Sequence, residues 1–114
     1  MDVAIHFKED GAKLRGFVEG EIDTFTAPTL RGELEAVKIT EGLEIYLDLS
    51  KVRYMDSTGL GIFVAFYKRA LREKGKVKLI GLSNRLQRLF EITGLSELMD
   101  IEIDKKVALS NEGI

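Results

Sequence analysis

The chain has 114 residues, 45% hydrophobic and 32% charged, which fits one soluble globular domain with its own core and excludes a disordered or fibrous polypeptide. Seventeen basic side chains against nineteen acidic ones leave a net charge of −2, so no general attraction to nucleic acid is expected. Cysteine is absent, which rules out disulfides, thiolate chemistry and cysteine-held metals.

The N-terminal "MDVAIHFKED" has neither the basic region nor the apolar run of a signal peptide. The longest apolar stretch, Ile62 to Tyr67, is far shorter than the roughly 20 residues that span a bilayer. A cytoplasmic protein with no membrane association, folded as a single domain over residues 1–114, is the expectation.

Val3, Ile5 and Phe7 alternate with polar or small neighbours, and a second extended segment runs from Lys13 to Glu19 after the turn signal Asp10-Gly11. The two predict a β-hairpin. In "TFTAPTLRGELEAVK", Leu30, Leu34 and Val37 recur at helical spacing and Pro28 sits where a first turn tolerates it, which predicts a short helix from about Ala27 to Lys38. "LEIYLDLS" sets Leu43, Ile45, Leu47 and Leu49 against Glu44, Tyr46 and Asp48, the period of a strand buried on one side.

From Leu60, apolar residues recur at Phe63, Val64, Tyr67 and Leu71, a helix predicted to end near Lys74 because Gly75 suits a left-handed stop. "KVKLIGLS" predicts another strand, and Ser83 can cap a helix over "NRLQRLFEIT" that Gly94 ends. A last short strand, "LMDIEID", precedes a predicted tail helix from Asp104 to Asn111. The order is α/β with a mostly parallel sheet. Because the strands alternate rather than run continuously apolar, one sheet face is expected to be left largely to solvent, with the helices on the other.

The stretch Tyr54-Met55-Asp56-Ser57-Thr58-Gly59-Leu60-Gly61 joins the third strand to the second helix. It lacks the Gly-Lys-Ser/Thr ending of a phosphate loop, and Val64 stands where a dinucleotide fingerprint needs its third glycine. As a nucleophile, Ser57 would need a general base and a glycine at the position of Met55, and the single histidine, His6, lies in the first strand beside Ala4 and Lys8.

Asp56 or Ser57 can cap the helix, but Gly59 and Gly61 within its first turn each cost about 1 kcal/mol relative to alanine, so close approach of another group is expected to offset them. If Asp56 caps, the Ser57 hydroxyl is left free at the positive end of the helix, a place suited to carry a phosphoryl group.

"DLSKVRYMDSTGLGIFV", with "GEIDTFTAPTL" before it and "LSNRLQRLFEITGL" after it, resembles the anti-sigma factor antagonists, the bacterial branch of the STAS domains. The resemblance covers roughly Val3 to Leu98 and implies a singly wound sheet of about five strands with an N-terminal hairpin. It further implies that the unmodified chain binds an anti-sigma factor that is also a serine kinase, freeing the sigma factor. The kinase phosphorylates Ser57 and switches binding off, and a separate serine phosphatase restores it. Asp23, Thr24, Asp56, Thr58, Gly59, Leu60 and Gly61 are expected at the partner-binding surface, and a minor role of the Thr58 hydroxyl stays open. No catalysis, cofactor or metal is expected of the chain itself. Two alternatives share the fold: a scaffold subunit of a stressosome-like sensory assembly, and an accessory module of a membrane transport system.

Overall fold

The structure, a computed structural model, describes residues 2–103. Val3–Asp10 (β1) and Lys13–Ile22 (β2) pair antiparallel across a two-residue turn. Gly11 takes φ 63 there, a left-handed value that glycine adopts without strain. Then follow Ala27–Glu35 (α1), Glu44–Met55 (β3), Ser57–Arg72 (α2), Lys76–Leu82 (β4), Asn84–Ile92 (α3), Leu95–Leu98 (α4) and Asp100–Ile103 (β5). The five strands lie in one sheet in chain order, parallel from β2 to β5. Every crossover therefore steps one strand in the same direction, the singly wound arrangement expected from strand alternation.

The alternation marks the two faces. In β2, Leu14, Val18 and Ile22 are buried, whereas Lys13, Arg15, Phe17 and Glu19 are exposed. In β3, Ile45, Leu47 and Leu49 are buried, with Tyr46 and Asp48 half-buried between them. The helices complete this core with Leu30 and Leu34 of α1, Phe63 and Phe66 of α2, and Leu86 and Phe90 of α3. Burying each such side chain stabilises by about 1.5–3 kcal/mol, which holds the helices to one face. On the open face, the Lys13 Nζ and the Arg15 guanidinium lie 5.9 and 5.6 Å from the centre of the Tyr46 ring.

Two helix ends depart from the sequence expectation. First, α1 stops at Glu35 rather than Lys38. The Val37 N–H donates to the Leu34 carbonyl in a tightened last turn, and the Arg69 guanidinium of α2 donates to the carbonyls of Leu34 (3.1 Å) and Val37, ending the ladder from outside. Second, the left-handed residue after α2 is Lys74, at φ 64, and not Gly75. Lys74 N–H donates to Leu71 and Gly75 N–H to Ala70, the bond pair of a Schellman stop. Gly75 is needed for closeness instead, since a Cβ there would lie 2.8 Å from Ile39 Cγ2. The short α4 has no counterpart in the sequence reading, and the tail helix expected over 104–111 lies outside the described residues. No helix among the described residues is long and apolar enough to cross a membrane.

Candidate functional site

The paired strands β2 and β3 finish together, with Ile22 opposite Met55, and the Asp56 N–H donates to the Ile22 carbonyl at 3.1 Å. The residues that leave these two strand ends, Asp23 and Asp56, are thereby set side by side at the C-terminal end of the parallel strands. Each is the first residue of a turn into a helix, and each uses its carboxylate to hold that turn.

Asp56 is extended (φ −100, ψ −174), and its Oδ1 accepts from the N–H groups of Thr58 (2.9 Å) and Gly59 (3.2 Å). The choice of cap left open by the sequence is thus decided for Asp56. Ser57 becomes the first residue of α2, is exposed, and its hydroxyl makes no hydrogen bond among the described residues. Thr58, one step along, is half-buried. Ser57 therefore offers a free oxygen to solvent at the positive end of a 16-residue helix.

The glycines of this turn differ from each other. A Cβ on Gly59 would lie 2.7 Å from both Ile22 Cγ2 and Met55 Cγ, so Gly59 lets the first turn of α2 sit down on the strand ends. Around Gly61 there is nothing within 4 Å of such an atom. Of the residues expected at the binding surface, Gly59 is buried and Leu60 is 5% exposed, both packed within the chain itself. What needs Gly59 is the sheet beneath it. Gly61 is exposed and opens onto a groove of about 240 Å³ between α1 and α2 that Arg31, Phe66 and Arg72 also line.

Asp23 is likewise more than a solvated turn carboxylate. Its Oδ1 accepts from the N–H groups of Phe25 (2.9 Å) and Thr26 (3.0 Å), while the Asp23 N–H donates back to Thr26 Oγ1 at 2.9 Å. These reciprocal bonds, similar in pattern to a capping box, close the turn that leads into α1, whose own N-cap is Thr26. The buried Thr26 hydroxyl donates in turn to the Glu21 carbonyl at 2.7 Å, fastening the turn to β2. The N–H of Thr26, with those of Phe25 and the Thr26 hydroxyl behind it, holds the Asp23 carboxyl below its ordinary pKa against an opposing push from desolvation. Thr24 is exposed on the same turn.

Beside Asp23 and Thr24, Glu21, Phe25, Arg53, Tyr54 and Arg85 complete the lining of a shallow depression of about 540 Å³. None of these five is among the residues expected at the binding surface, although Tyr54 opens the stretch that carries Ser57. Phe25 is the available signal: an aromatic inside the polar loop "DTFTAP", outside any helical or strand period. Glu21 Oε1 is buried and has no hydrogen-bond partner among the described residues. His6, at 3.9 Å from Glu19 Oε1, is exposed on β1, and no group of three metal-ligating side chains occurs among the described residues.

The STAS domain model matches residues 14–109. The chain is 47% identical to an anti-sigma-B factor antagonist of Listeria monocytogenes over 90% of both chains. It is 41% identical to one of Bacillus subtilis, over 89% of this chain and 92% of that protein. Among solved structures, an anti-sigma factor antagonist from Mycobacterium paratuberculosis superposes with a TM-score of 0.79 at 27% identity, covering 96% of this chain and 92% of the other. The chain belongs to the STAS family, among its anti-sigma factor antagonists. In this STAS domain the block "DSTGLG" has three separate structural duties: Asp56 caps, Gly59 seats the helix, and Ser57 stays outside.

Proposed function

We propose that this STAS domain is a phosphorylation-controlled binding partner of an anti-sigma factor. With Ser57 unmodified, the edge formed by Asp23, Thr24, Asp56, Ser57, Thr58 and Gly61 docks on the anti-sigma factor, which releases its sigma factor. The anti-sigma factor is also the kinase that phosphorylates Ser57, and a serine phosphatase reverses the mark. The chain acts in the cytoplasm as substrate and ligand rather than as catalyst.

The observation that supports this most is the exposed, unbonded hydroxyl of Ser57 at the first position of a helix whose cap is supplied by its neighbour. Phosphoryl transfer is mostly positioning and charge stabilisation, and a kinase with ATP and magnesium brings both. The chain need only present the acceptor. A phosphate there adds about −1.5 to −2 charge at pH 7. Within the fold, the positive end of α2 accommodates it. On the partner side, the added charge joins the carboxylates of Asp23 and Asp56 at a surface shaped for a neutral hydroxyl, and the complex weakens.

Incubation of the chain with the anti-sigma factor of the same cell and ATP, followed by peptide mapping, tests this. Label on Ser57 that Ser57→Ala abolishes is expected. Label confined to Thr58, or none at all, overturns the assignment.

A further inference from the structure

Phe25 is 87% exposed, more than any other large hydrophobic side chain among the described residues. A single exposed apolar residue is ordinary, so exposure by itself carries little. Three further features set this one apart. Its backbone N–H is bonded to the Asp23 carboxylate at 2.9 Å, inside the closed turn, so the ring is displayed on a fixed turn and not on a loose one. Across the same depression stands Tyr54, 49% exposed, whose register partner on β2 is Glu21. Finally, Glu21, Arg53 and Arg85 line the same depression and set charged side chains around the two rings.

The patch is continuous with the switch. Asp23 lines it, and Tyr54 lies two residues before Asp56 and three before Ser57. Preorganised aromatic side chains of this kind, surrounded by polar groups, are where binding energy concentrates in protein interfaces.

We propose that Phe25 is the apolar anchor of the complex with the anti-sigma factor: its ring enters an apolar pocket of the partner, and Tyr54 packs beside it. The proposal rests on the function given above and adds a division of labour to it. Phe25 supplies affinity whether or not Ser57 is modified, and Ser57 alone supplies the switch.

The test is titration calorimetry of the full chain against the purified anti-sigma factor of the same cell, with melting curves to show that each variant is folded. Phe25→Ala is expected to weaken binding by about 30-fold or more, and Phe25→Leu by less, since part of the apolar surface remains. Leu71→Ala, which trims an exposed apolar side chain at the other end of α2, is expected to leave affinity unchanged. The ratio of affinities between the unmodified and phosphorylated forms is expected to be the same with Phe25 and with alanine. Undiminished binding by a folded Phe25→Ala variant overturns the anchor and leaves the function standing, as does an equal loss from Leu71→Ala. No binding by the unaltered chain overturns the function and the anchor together.

Discussion

The N–H of Asp56 donates to the carbonyl of Ile22 at 3.1 Å, so the residue that caps α2 is itself tied to the end of the neighbouring strand β2. Asp56 therefore joins three parts of the site: β2, β3 and the first turn that carries Ser57. Removing its side chain frees two N–H groups, those of Thr58 and Gly59. Asp56→Ala is expected to destabilise the chain by about 1 kcal/mol. For a domain of this size that is a fall in melting temperature of about 4 °C. Asp56→Asn, which keeps the acceptor and drops the charge, is expected to retain most of the stability, as thermal unfolding of the two variants will show.

Asp23 makes stability depend on pH in a defined direction. Its folded pKa lies below its unfolded one, chiefly through the Thr26 N–H, so the carboxylate form favours folding. That contribution is complete above the unfolded value of about 4, and is lost as pH falls through the lower folded value. Urea midpoints of the parent and of Asp23→Asn should therefore differ near pH 7 and converge in acid. A difference that persists unchanged to the lowest accessible pH contradicts this role.

Gly59 and Gly61 respond oppositely to the same substitution. Gly59→Ala drives a methyl group to 2.7 Å from Ile22 Cγ2 and Met55 Cγ, and such overpacking costs about 1–3 kcal/mol, more than the helix propensity gained. Gly61→Ala meets nothing within 4 Å and is expected to stabilise by up to about 1 kcal/mol. Denaturant unfolding separates the two. If partner approach is what keeps Gly61 small, Gly61→Ala will also weaken binding while stabilising the free chain.

At the end of α2, Lys74 holds a left-handed backbone that glycine adopts freely. Lys74→Gly is expected to raise stability by up to about 1 kcal/mol. Gly75→Ala, in contrast, brings a methyl group within 2.8 Å of Ile39 Cγ2 and should destabilise. A stabilised Gly75→Ala variant in urea unfolding would show that the contact yields readily.

The features legible in the sequence are those set by local period and local chemistry. Alternation at Ile45, Leu47 and Leu49 marks the covered face of β3, Asp10-Gly11 marks the hairpin, and Ser83 caps α3 by accepting from Leu86 N–H. The features that were not legible depend on what packs from elsewhere. Arg69 ends α1 from another helix, and Ile39 is what requires a glycine at position 75, leaving the left-handed turn to Lys74. In the site, Gly59 and Gly61 look alike as letters, and only the positions of Ile22 and Met55 make one a core residue and the other a surface one. Phe25 lies outside any period, so its outward display becomes visible only when Asp23 and Thr26 are seen to close the turn around it.

The most direct measurement compares the affinity of the unmodified chain and of the same chain phosphorylated on Ser57 for the anti-sigma factor, with circular dichroism recorded on both. The expected result is a loss of affinity of about 100-fold or more with an unchanged spectrum, since the helix end accommodates the charge and the partner does not. Equal affinity of the two folded forms would contradict the central claim, and so would a loss of affinity that comes with unfolding of the chain.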